Sequence, residues 1–218
     1  MTTRAKICGV TTREAIDAAI DSGADYIGLV FFAKSPRHLS LESAAELAKA
    51  ARGKVSIVAL TVNANDAALA DIVRDVHPDM LQFHGRESPE RVAQVRERHG
   101  VPIIKAISVE TVADAAFARA YRGIADLILF DAKAPKGAAL PGGNGLSFDW
   151  RALDGFADDF DFMLSGGLNP DNVADAIRLT GAAAVDVSSG VETAPGVKSP
   201  DLIRRFLQAV KTAKQASK

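Results

Sequence analysis

Short apolar runs rich in valine, isoleucine and phenylalanine alternate along this chain with alanine-rich segments whose apolar residues recur at helical spacing. The first kind reads as strand and the second as amphipathic helix, and their regular alternation is the pattern of repeated βα units on a parallel sheet. Eight strands are predicted, over residues 5–10, 26–32, 55–62, 80–84, 103–108, 127–131, 162–165 and 183–188. A helix follows each, starting near Thr12, Leu41, Asp66, Ser88, Thr111, Phe148, Asn169 and Ser199. Several of these starts carry Ser, Thr, Asp or Asn, whose side-chain oxygens satisfy the free N–H groups of a first turn.

Eight βα units in 218 residues predict a single (β/α)₈ TIM barrel with parallel strands, a catalytic domain covering residues 1–218. The competing architecture is a doubly wound open sheet. A dinucleotide-binding sheet of that kind would show an early Gly-x-Gly-x-x-Gly turn, and the first turn here, Cys8-Gly9-Val10-Thr11, is not one.

Charge narrows the partners. Twenty-six basic and 27 acidic residues leave a formal net charge of -1, so no overall field attracts nucleic acid or an anionic membrane, and an anionic ligand must be held locally. One cysteine excludes an internal disulfide and a cysteine-rich metal site, and suits a reducing compartment. The first residues carry no apolar segment and no run approaches the ~18 apolar residues of a membrane span, so a soluble cytoplasmic protein is expected.

In a barrel of this kind the working face lies at the C-terminal ends of the strands. Cys8, Gln82, His84, Asp131, Asp186 and Ser188 fall there, on the face opposite the outward aliphatics of their strands. Lys6 and Lys105 read as inward too, and an ammonium one pleat from Cys8 would favour the thiolate. Each has a plainer alternative: Cys8 a small buried hydrophobe, His84 a satisfied core group, Asp131 a loop cap. The long connection 132–147 reads as a lid, the alternative being a solvated insertion. Gly166 and Gly167 after strand 7, and Ser188, Ser189 and Gly190 after strand 8, bring small residues and free backbone N–H groups to two adjacent loops. That is a phosphate grip at the position where such barrels commonly hold one.

Seven motifs in order carry a closer resemblance: Lys6-Ile7-Cys8-Gly9, Phe31 with Ser35-Pro36-Arg37, Leu81-Gln82-Phe83-His84-Gly85, Leu129-Phe130-Asp131, Gly142-Gly143-x-Gly145 with Phe148-Asp149-Trp150, Leu164-Ser165-Gly166-Gly167-Leu168, and Asp186 to Glu192. From residue 4 to about 210 the chain resembles the phosphoribosylanthranilate isomerase family of tryptophan biosynthesis. The resemblance implies an Amadori rearrangement of N-(5-phosphoribosyl)anthranilate without metal or organic cofactor. It makes Cys8 the general base and Asp131 the general acid, gives Arg37 the anthranilate carboxylate and Asp186 a ribose hydroxyl, and leaves Gln82 and His84 lining the substrate. Asn144 stands where Thr is expected in many relatives. The expected partner is a small phosphoribosyl molecule, with the protein a monomer or homodimer. Two alternatives stay open: another phosphosugar isomerase or epimerase on the same barrel, and a non-catalytic phosphometabolite-binding protein.

Overall fold

The structure, a computed structural model, describes residues 3–134, 137, 140, 142–143 and 145–216, with side chains to residue 213. Pro135, Lys136, Pro141 and Asn144 of the expected lid lie outside the described residues, as do the first two and last two positions.

Eight parallel strands close into a barrel in chain order: β1 (Arg4–Cys8), β2 (Tyr26–Phe31), β3 (Ser56–Thr61), β4 (Met80–Phe83), β5 (Ile103–Val109), β6 (Leu127–Ala132), β7 (Phe162–Leu164) and β8 (Ala184–Val187). Helices α1 (Arg13–Asp21), α2 (Leu41–Ala51), α3 (Asp66–Val76), α4 (Pro89–His99), α5 (Val112–Ala116), α6 (Phe156–Asp159), α7 (Val173–Thr180) and α8 (Pro200–Ala216) lie between and after them. Thr12, Ser40, Asn65, Ser88 and Thr111 cap the first five, each side chain accepting a first-turn N–H as the sequence suggests. Asp25, Asp79 and Asp126 stand just before even-numbered strands and accept the N–H of Ala5, Ile57 and Ile103, pinning each preceding strand.

Three elements differ from expectation. The fifth helix breaks after one turn into a 3₁₀ segment, Phe117–Tyr121. No long helix starts at Phe148; a 3₁₀ turn (Trp150–Leu153) precedes the one-turn α6, because Gly155 at φ 80 ends the first turn before the second can join it. After β8 a 3₁₀ turn (Ser189–Val191) leads into a small antiparallel hairpin, β9 (Glu192–Ala194) and β10 (Val197–Lys198), that the apolar pattern does not announce.

Two buried layers follow from strand alternation. Outward residues such as Ile7, Ile27, Ile57, Leu81, Ile103, Phe130, Leu164 and Val185 pack under the helices. Inside, Tyr26, Val58, Ile104, Ala106, Leu127, Leu129, Met163 and Ala184 fill the lower barrel. Lys105 corrects the inward reading, since it shares its face with Ile103 and Ile107 and lies outside the barrel wall. There it pairs with the buried Glu87 at 3.0 Å and donates to the Gly85 carbonyl at 2.8 Å.

Candidate active site

Above the apolar plug the inward positions turn polar. Lys6 is fully buried, and its ammonium lies 2.9 Å from Asp186 on the adjacent β8. Cys8 sits one pleat above Lys6, and Gly28 beside it on β2 leaves the space both need. A side-chain carbon at Gly28 would stand 2.8 Å from the thiol sulphur and 3.2 Å from Lys6 Nζ.

Over this layer opens a cavity of about 770 Å³, counting its solvent-open part, lined by Cys8, Arg37, His84, Asp131, Gly166, Gly167, Asp186, Ser188 and Ser189. Nine of the residues singled out in the sequence therefore share one space. Cys8 and Asp131 enter it from strands separated by β7 and β8 on the shorter way round, so thiol and carboxyl stand across the mouth, not side by side. Besides Lys6 beneath it and Lys105 outside the wall, Gln82 and Gly190 do not line it. Gln82 lies below, fully buried, its amide 3.4 Å from His84 Nδ1. Gly190 serves as a close approach, where any side chain would run into the Leu168 carbonyl of the neighbouring loop.

Asp131 Oδ1 accepts the N–H of Ala132, while Oδ2 lies 3.2 Å from His84 Nε2 without hydrogen-bond alignment. Arg37 is buried and held side-on by Glu192, with Nε to Oε1 at 2.7 Å and Nη2 to Oε2 at 2.8 Å. Gly166 and Gly167 adopt φ of 89 and 65, the left-handed region that favours glycine, at the loop after β7. The lid segment lies down over the mouth: Leu140, Gly142, Gly143, Gly145 and Leu146 line the cavity, and Gly142 abuts Asp131 and His84.

The thiol does not behave as the sequence implies. Burial pushes the Cys8 pKa up, the Lys6 charge opposes this, and Asp186 adds to the rise, so the net shift is upward and not toward thiolate. Lys6 is the weaker counterweight because Asp186 already engages its charge. Burial draws Lys6 toward neutrality, and Asp186 with the thiol outweighs it, holding the ammonium above its ordinary value. Among the described residues no group of three or more His, Cys, Asp or Glu is arranged to hold a metal ion, and no helix is long and apolar enough to cross a membrane.

A sequence model described as N-(5'phosphoribosyl)anthranilate (PRA) isomerase matches residues 5–209. The chain belongs to that family. It is an isomerase of tryptophan biosynthesis on a TIM barrel. The N-(5'-phosphoribosyl)anthranilate isomerase of Rhodopseudomonas palustris (strain BisA53) is 56% identical over 212 residues, 97% of this chain and 97% of its own. A solved phosphoribosyl anthranilate isomerase in complex with reduced 1-(o-carboxyphenylamino)-1-deoxyribulose 5-phosphate is 36% identical, with TM-score 0.85 over 97% of this chain and 100% of that one. Monomers generated from the dimeric isomerase of Thermotoga maritima superpose with TM-score 0.84 at 36% identity, covering 97% and 100%.

Sequence reasoning passed over two features of this isomerase site. Val30, Phe32, Leu60 and Val62 form an apolar wall of the cavity, which inward alternation on β2 and β3 could have found. Lys198 could not have been found that way. Its ammonium reaches Glu192 at 2.7 Å and the Ser188 carbonyl at 2.9 Å from a hairpin with no strong pattern signal.

Proposed function

We propose that this isomerase converts N-(5'-phosphoribosyl)anthranilate to 1-(2-carboxyphenylamino)-1-deoxyribulose 5-phosphate with Cys8 as general base and Asp131 as general acid. The observation that carries the reading is one cavity with a thiol on β1 and a carboxyl on β6, a buried arginine in its wall and two small-residue loops beside them. Asp131 delivers its proton to the furanose oxygen as the anilino nitrogen's lone pair opens the ring to an imine. Cys8 then takes the C2 proton, giving an enolamine that tautomerises to the amino-ketose. His84, beside Asp131 Oδ2, and Gln82 beneath it complete the substrate-binding wall on that side.

The anionic ends of the substrate match the rest of the site. Arg37 takes the anthranilate carboxylate with a planar fork, and the apolar wall of Val30, Leu60 and Val62 takes the ring. Gly166, Gly167, Ser188, Ser189 and the turn opened by Gly190 receive the phosphate, and Asp186 a ribose hydroxyl. The reading treats residues 1–218 as one soluble, cytoplasmic barrel domain that works as a monomer or homodimer without metal or organic cofactor. A solved relative carrying a reduced product analogue and a dimeric relative support the ligand class and the assembly.

Purified protein given synthetic phosphoribosylanthranilate, with no added metal or cofactor, tests the reading. Consumption of substrate is expected, with kcat lower by roughly 10²- to 10⁴-fold in Cys8→Ala and in Asp131→Asn. No conversion by the unaltered protein would leave a binding protein, and near-normal turnover by Cys8→Ala would mean that the base lies elsewhere.

A further inference from the structure

Arg37 cannot turn freely toward a ligand. Its Nε and Nη2 face Glu192, and Glu192 Oε1 is shared with Lys198 Nζ at 2.7 Å. Lys198 in turn donates to the Ser188 carbonyl at 2.9 Å and approaches Ser188 Oγ at 3.2 Å. The side chains of Arg37, Glu192 and Lys198 are 6%, 4% and 1% exposed, so the chain of contacts is sealed from water. Two cations and one anion leave one positive charge beside a cavity already lined by Arg37 and Ser188. Toward the lid, Nη2 also donates to the Gly143 carbonyl at 3.4 Å, and Nη1 would stand 2.9 Å from a side-chain carbon placed at Gly143. Glu192 thus occupies one edge of the fork and leaves the Nη1 side toward the lid and cavity.

We infer that Glu192 and Lys198 are positioning residues: Glu192 sets the edge of Arg37 offered to the aromatic carboxylate, and Lys198 ties that grip to the Ser188 loop. The inference rests on the proposed role of Arg37. It gives the β9–β10 hairpin a purpose, since the hairpin supplies both residues from its two strands. It also gives the net positive charge of this trio a destination, because a bound carboxylate neutralises it. Burial opposes ionisation of Glu192, but Arg37 and Lys198 outweigh it and hold the carboxylate below its ordinary range; burial also draws Lys198 below its ordinary value, against the pull of Glu192.

Glu192→Asp keeps the charge and shortens the reach by one methylene, which separates geometry from electrostatics. The expected result is a KM higher by about 10- to 100-fold with kcat within about threefold, the signature of lost uniform binding. The reduced product analogue should lose affinity by a similar factor, while its counterpart lacking the ring carboxyl should change by less than about twofold. Arg37→Met should discriminate the two analogues in the same way, and adding Glu192→Asp to it should cost nothing further. If Arg37→Met discriminates and Glu192→Asp does not, the positioning inference falls while the proposed function stands. If neither discriminates, the carboxylate assignment of Arg37 falls first and the inference with it. Lys198→Met leaves Glu192 paired with Arg37, and so serves if Glu192→Asp fails to fold. It should weaken competitive inhibition by inorganic phosphate about tenfold, and unchanged inhibition would overturn the tie to Ser188.

Discussion

Gly142→Ala isolates the seating of the lid from every other property of the protein. Gly142 does not need glycine's conformational freedom, since its φ is not positive; it needs glycine's lack of a side chain. A methyl there would stand 2.7 Å from His84 Cε1 and Nε2, and closer still to Asp131 Oδ2, where ordinary contact begins at 3.4 Å. Loop or carboxyl must therefore retreat by roughly 1 Å, the scale of misplacement that costs a catalytic site about a hundredfold. At ~1.36 kcal/mol per decade that is about 2.7 kcal/mol on the barrier. Because the segment carries no part of the barrel core, urea stability should change by less than about 0.5 kcal/mol. Steady-state turnover and a urea titration measured on one preparation separate the two effects. Gly137→Ala is the matched control. It lies on the same connection with φ 84 and nothing within 4 Å of the added carbon, so it bears local strain without touching Asp131. Equal, near-normal turnover by both variants would refute the seating of the lid on Asp131, and a stability loss as large as the activity loss would refute its independence from the core.

Two further outcomes follow from the buried charges. The Cys8 pKa is raised by burial, so its protonated form contributes stability that is fully present below the ordinary thiol value and is lost as pH rises through the raised folded value; kcat/KM and the rate of iodoacetamide alkylation should climb over the same alkaline window, and a midpoint at or below that of a free thiol would show that Lys6 prevails over burial. Lys105→Met leaves the buried Glu87 carboxylate with the N–H groups of Asn63 and Gly85 alone, and should cost about 3 kcal/mol in urea unfolding, part of it recovered by adding Glu87→Gln; a loss under about 0.5 kcal/mol would sink that assignment.

The seven ordered motifs and the eightfold alternation carried most of this protein into view from the sequence. Period-two patterning sorts Ile7 from Cys8 and Phe130 from Asp131 because a strand's two faces meet different surroundings, so the barrel and its inward polar residues are legible one strand at a time. The same logic failed at Lys105, where one charged residue among aliphatics was read onto the wrong face. Its ion pair comes from Glu87, in a separate βα unit, and no pattern within β5 announces it.

What the chain determined alone is therefore local: strand order, caps, the glycine loops and, Lys105 apart, which residues project inward. What only the folded molecule decided is relational. Whether Lys6 activates Cys8 depends on Asp186, 180 positions away, and whether Arg37 is free depends on Glu192, 155 positions away. Charge interactions and desolvation act through space across a closed barrel, so the protonation of a thiol and the aim of a guanidinium are settled by neighbours that sequence order keeps apart.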